Sequence, residues 1–137
     1  MAETTYGYTA RTTGISFDDV IGKTTEALKE QGFGVITEID VKATMKTKLD
    51  IDFRNYKILG ACNPQFAHKA LVEDLYIGLL LPCNVAAFEE DDGSVVVSAV
   101  KPEEMFKVVD KPDLAPIAEG VGERLRAVVQ HLDKLGA

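Results

Sequence analysis

The apolar residues of this chain follow two periods, and the switches between them mark its elements. Tyr6, Tyr8 and Ala10 recur at every second position within residues 4–11, the period of a strand with one buried face. Ser16, with Asp19 three residues on, makes a capping-box arrangement that opens a helix. Phe17, Val20, Ile21, Thr24, Ala27, Leu28 and Gln31 hold helical spacing, and Gly32 stands where a helix ends in a left-handed residue. Period two returns across Phe33, Val35, Thr37, Ile39 and Val41, which predicts a half-buried strand.

Asp40 suits the N-cap of a short helix whose inner face would carry Val41, Met45 and Leu49, with Lys42 and Lys46 outward. "NYKILGACN" reads as a third strand. Asn63 and Pro64 open a helix that runs to about Asp74 or Leu75, with Phe66, Ala67, Ala70, Leu71 and Leu75 as its stripe. "CNVAAFEEDDGSVVVSAV" predicts a hairpin with strands at about 83–90 and 94–100 and a turn at Asp92-Gly93. A helical turn at 102–109 precedes a long amphipathic helix through Leu114, Ile117, Ala118, Val121, Leu125, Val128, Val129, Leu132 and Leu135, with Pro116 in its first turn. The hairpin makes the sheet at least partly antiparallel. Helices on one of its faces complete a single α+β domain over residues 1–137.

Composition agrees with one soluble domain: 137 residues, 46% hydrophobic and 27% charged. The net charge of -7 disfavours nucleic acid as a partner. Lys42, Lys46, Lys48, Arg54 and Lys57 form a local basic stretch, read as a solvated face in preference to an anion-docking patch. The start of the chain lacks the pattern of a signal peptide. The apolar run Leu75 to Phe88 is too short for a bilayer and is broken by Pro82 and Asn84. A cytoplasmic protein without membrane contact is expected, and in that compartment Cys62 and Cys83 are expected not to be joined.

The only two cysteines lie in similar corners, "ACNPQFAH" at 61–68 and "LPCNVAAF" at 81–88. Asn63-Pro64 has an architectural explanation as N-cap and first helical residue, with the Asn63 side chain accepting from the first turn. Cys62 then sits just before a helix N-terminus, where a thiol can be activated, although inert packing is the plainer reading. Pro82 belongs at the start of a strand, and a buried Asn84 would bond backbone or a ligand. His68 lies within reach of Cys62 along the chain. The pair could form a nucleophilic site, or with Cys83 part of a metal site, but no close Cys or His spacing marks either. An exposed helix histidine is the simpler account, and His131 offers less. No phosphate-binding or dinucleotide-binding glycine motif occurs.

Gly32-Phe33, "ILGACNP", Ala67 with Ala70-Leu71, "IGLLLPCN", Gly93, and Pro102 with Met105 together resemble the domain-of-unknown-function family numbered 302. The resemblance implies a TATA-binding-protein-like fold, with β-α-β4-α order around a curved, mainly antiparallel sheet. It implies a small homodimer and no established activity. The family's signature residues match Cys62, Asn63, Pro64, Pro82, Cys83 and Asn84.

Three functions fit. The favoured one is a homodimeric ligand-binding or sensing domain with a small molecule or soft metal near Cys62, Asn63, Cys83, Asn84 and His68. The second is a structural or partner-binding module without a ligand. The third is a cysteine-dependent enzyme using Cys62 with His68 as base, which lacks a third orienting group. No particular cofactor is indicated. The two Cys-Asn corners are expected at one end of the domain, near enough to line one pocket. The apolar segment Ile77 to Leu81 is expected to be covered, in part by a second copy.

Overall fold

The computed structural model describes residues 4–135. Five strands form one open sheet in the order β1-β5-β4-β3-β2, and every neighbouring pair is antiparallel. The strands are β1 (Gly7–Thr12), β2 (Gly34–Asp40), β3 (Tyr56–Cys62), β4 (Cys83–Glu89) and β5 (Val95–Val100). The helices are α1 (Phe17–Glu30), α2 (Val41–Leu49), α3 (Pro64–Glu73), α4 (Pro102–Met105) and α5 (Ala115–Leu135), and a 3-10 helix spans Leu75–Leu80. The expected β-α-β4-α order is present, with α2 and α3 inserted between strands.

Local chemistry sets the element ends. Ser16 Oγ accepts from Asp19 N at 3.1 Å and opens α1. At its other end Gly32, at φ 86°, lets Phe33 N reach Leu28 O and Gly32 N reach Lys29 O, a Schellman closure. Asp40 accepts from Ala43 N at 2.9 Å and caps α2 as expected. The β4–β5 turn closes through Gly93 N to Glu90 O, with Gly93 at φ 87°.

The main core lies between one sheet face and helices α1 and α5. Val20 and Leu28 of α1 and Leu125 and Leu132 of α5 meet Leu59, Val85 and Val97 of the sheet. A smaller cluster, Ala70, Ile77, Phe106, Leu114 and Ala118, gathers α3, the 3-10 helix and the residues before and within α5.

Three expectations need correction. β2 is not half-buried along its length, because a bulge between Val35 and Thr37 shifts the register. Val35 pairs with inward-facing Ala61, but beyond the bulge Thr37 pairs with Gly60 and Ile39 with Ile58. One extra residue therefore flips the strand's phase, sending Thr37 and Ile39 to the helix-free face. Nor does α2 bury its apolar side: none of its residues is buried, and Leu49 is exposed. Finally, Leu75 does not continue the stripe of α3. The helix stops at Glu73, Asp74 Oδ1 accepts from Tyr76 N, and Leu75 is exposed in the 3-10 helix.

Among the described residues no helix is long and apolar enough to cross a membrane. Much of the basic stretch faces the chain's own carboxylates. Lys46 pairs with Asp50 and Asp52, Arg54 with Asp91, and Lys57 with Glu38.

Candidate functional site

The main core and the smaller cluster do not merge completely, and a cavity of about 330 Å³ remains at their seam. The sheet end contributes Ala61, Cys62, Pro82 and Cys83. Helix α3 contributes Phe66, Ala67, Ala70 and Leu71, and α5 closes the far side with Ile117 and Val121. Phe33, Phe106, Pro102 and Leu81 fill the corners. No Asp, Glu, Lys, Arg or His lines this space.

Adjacent antiparallel strands bring the two cysteines together. Ala61 pairs with Cys83, so Cys62, the last residue of β3, lies diagonally across from the first residue of β4. Both are free thiols. Cys62 is half-buried and Cys83 is buried. Burial, with a smaller contribution from Cys62, pushes the Cys83 thiol up to about 11. At neutral pH Cys83 is a neutral, poorly nucleophilic group in an apolar wall.

The other sequence-selected residues fare differently. Asn84 is exposed, not buried: it pairs with Gly60 and points to the sheet face opposite Cys83. His68 is exposed on α3 and absent from the cavity wall. The cavity side of that helix is held by Phe66, Ala67, Ala70 and Leu71, whose spacing leaves position 68 facing away. Among the described residues no group of three or more His, Cys, Asp or Glu is placed to hold a metal ion.

Asn63 lines the cavity, but not in the expected role. It makes no side-chain cap to α3. Its Nδ2 instead donates to the carbonyl of Gln31 at 3.3 Å, tying the start of α3 to the end of α1. Gly32 makes room for this amide, since a Cβ there would stand 3.2 Å from Asn63 Nδ2. Pro64 takes the first helical position, as its missing N–H allows.

Phe33, Phe106, Pro102, Ile117 and Val121 were not selected from the sequence as site residues. Their apolar periodicity marks a core and does not distinguish a wall of packed side chains from the wall of a cavity.

An open, all-antiparallel five-stranded sheet with helices on one face, and an apolar cavity where two clusters meet, define an α+β domain with an apolar pocket. The chain belongs to the family described as domain of unknown function DUF302, which it matches over residues 8–132. It is similar to the crystal structure of an uncharacterised conserved DUF302 protein from Bacillus stearothermophilus. That likeness has a TM-score of 0.86 and 30% identity, and covers 94% of this chain and 99% of that one. No curated protein matches the chain.

Proposed function

We propose that the protein is a ligand-binding or sensing domain that takes an apolar small molecule into the cavity beside Cys62 and Cys83. The observation that carries this reading is a cavity of about 330 Å³ with both cysteines among its lining residues and no ionisable carboxylate, amine or imidazole. Such a volume lies within the range of small-molecule pockets. It offers room for about eleven groups of water size at about 30 Å³ each. An apolar composition favours dispersion and area burial over polar recognition. A soft metal is less well served, because among the described residues no group of three or more His, Cys, Asp or Glu is placed to hold one. Cysteine catalysis lacks its base, since His68 faces elsewhere.

Titration with a neutral solvatochromic dye such as Nile red tests the reading. Saturable one-to-one binding is expected for the wild type. Ala67→Phe, which fills the cavity from α3, should weaken it strongly while the fold persists. Equal binding by both proteins would remove the cavity from the account.

A second copy is part of the proposal. Val72 near the end of α3 and Leu75, Tyr76 and Leu79 of the following 3-10 helix are all exposed. So many large apolar side chains exposed within eight residues suggest a partner surface. A symmetric homodimer would cover it. Sedimentation equilibrium should give a dimer, with Leu79→Lys shifted toward monomer; a monomeric wild type at micromolar concentration would count against the assembly. The element order also suits the TATA-binding-protein-like class, but a net charge of -7 gives no support to nucleic-acid binding. Two free thiols suit a cytoplasmic setting.

A further inference from the structure

Asn63 and Phe66 line two spaces at once. On one side is the apolar cavity; on the other is an open polar basin of about 770 Å³ formed by the end of α1, the start of α3 and one turn of α5. The two spaces thus meet at an amide and a single aromatic ring. Phe66 is half-buried, and it is held by contacts on its basin side. The Arg124 guanidinium carbon lies 4.9 Å from the ring centroid. Arg124 Nη1 also reaches the carbonyl of Gly120 at 3.4 Å, a long contact with a neutral acceptor.

Arg124 has no carboxylate among the ion pairs of the described residues, although several other basic side chains do. Glu30 and Glu123 border the same basin, but both are exposed and neither pairs with it. A half-buried guanidinium with free donors, supported on an aromatic face, is suited to bidentate recognition of a carboxylate. The cavity behind the ring offers the opposite chemistry. An ionised group placed inside it would find no partner, whereas a methylene chain or ring would be matched throughout.

From this juxtaposition we propose that the ligand is amphipathic: a medium-chain carboxylic acid, its apolar body in the cavity and its carboxylate on Arg124 in the basin. This rests on the cavity being a binding site. The volume leaves room for an apolar part of about ten carbons, taking each methylene at about the volume of a water. A turn of the Phe66 ring joins the two spaces, and Asn63 lies at the crossing point, where its amide oxygen can meet a polar atom of the ligand. The ligand's two ends are then read by different elements, the chain by the sheet end and α3, the head by α5.

Isothermal titration of the full chain with decanoate and with decanol, at a pH where the acid is ionised, separates head from tail. Decanoate is expected to bind about tenfold more tightly than decanol, the scale of one charge-assisted contact. Arg124→Gln should abolish that preference, bringing decanoate down to the affinity of decanol or below it. Arg124→Lys should keep part of it, because the charge remains while the fork is lost. Circular dichroism of each variant verifies its fold. Equal binding of both amphiphiles by the wild type, with Arg124→Gln without effect, would overturn the carboxylate assignment and leave the apolar cavity standing. Failure of both amphiphiles to bind, alongside saturable binding of the neutral dye that Ala67→Phe weakens, would also overturn it without touching the cavity reading. Failure of dye and amphiphiles together would overturn both.

Discussion

Gly120 of α5 carries no side chain at the point where the edge of the Phe66 ring lies: a Cβ there would stand 2.7 Å from Cε1 and 3.0 Å from Cζ. This bare position lets α3 approach α5 and sets the ring where cavity and basin meet. Gly120→Ala should gain about 1 kcal/mol of helix propensity. Overpacking against the ring should cost about 1–3 kcal/mol and outweigh that gain. The expected result is a lower urea midpoint with shifted Phe66 ring resonances, and recovery in the Gly120→Ala, Phe66→Leu double variant. A single variant more stable than wild type with unmoved ring signals would contradict the packing described.

A second close approach fixes a carboxylate. Tyr8 Oη donates to Glu103 Oε2 at 2.6 Å, and Glu103 Oε1 is buried with no hydrogen-bond partner. The carboxylate rests on the bare Cα of Gly122, where a Cβ would stand 2.5 Å from Oε2. Tyr8→Phe would leave Glu103 without that donor and should cost about 1–3 kcal/mol by chemical denaturation. Burial first, and the bond to Glu103 second, push the Tyr8 hydroxyl up from 10.0 to about 12. Its folded pKa is raised, so its contribution to stability is complete below pH 10 and is lost as pH climbs toward 12. An ultraviolet titration should show one tyrosine ionising near pH 12 that is missing from Tyr8→Phe.

Much of this fold was legible because local signals and burial agree. The α1 stripe, the Ser16 and Asp40 caps, Gly32 and the hairpin at Gly93 all follow from residue type and spacing. The limits are equally specific. A β-bulge has no signature in alternation alone, so Ile39 was assigned the wrong face. Residue type alone does not give the face of Asn84; Cys83 faces the core, and adjacent strand residues face opposite ways. Asn63 has the type of an N-cap but bonds Gln31, a partner that only the packing of α1 beside α3 supplies. Gly60 gave no signal either. Its need for hydrogen comes from Thr37 Oγ1 of β2 and Pro82 Cγ just before β4. The joint placement of Cys62 and Cys83 followed from strand order, but the cavity they share arises from imperfect contact between two apolar clusters, which no periodicity records.

The two thiols should differ in alkylation. Cys83 is buried and its thiol is raised to about 11, whereas Cys62 is half-buried at the end of β3. Iodoacetamide at about pH 8 should modify Cys62 in native protein and spare Cys83 until the chain is unfolded. The linkage follows with its sign. A thiol whose folded pKa is raised stabilises the fold fully below its unfolded value, and that stability declines as pH rises from 9.0 toward 11. Cys83→Ala should flatten this part of the stability profile relative to wild type. Equal alkylation rates for both native thiols would contradict the burial of Cys83.

The Asn63 amide discriminates between capping and bridging. A capping asparagine accepts through its oxygen, so Asn63→Asp would be tolerated and even favoured at a helix N-terminus. In this fold Asn63 donates through Nδ2 to the Gln31 carbonyl, and aspartate has no such donor when ionised. Asn63→Asp would set a carboxylate oxygen against a carbonyl oxygen and loosen the junction of α1 and α3. A loss of about 1–2 kcal/mol is expected at neutral pH, and protonation of the new carboxyl at low pH should recover part of it by restoring a donor. Asn63→Ala should lose the bridge without adding repulsion, so its urea midpoint should fall between those of wild type and Asn63→Asp. Asn63→Asp at or above the wild-type midpoint would mean that the side chain caps α3 in solution and that the bridge to Gln31 contributes nothing to stability.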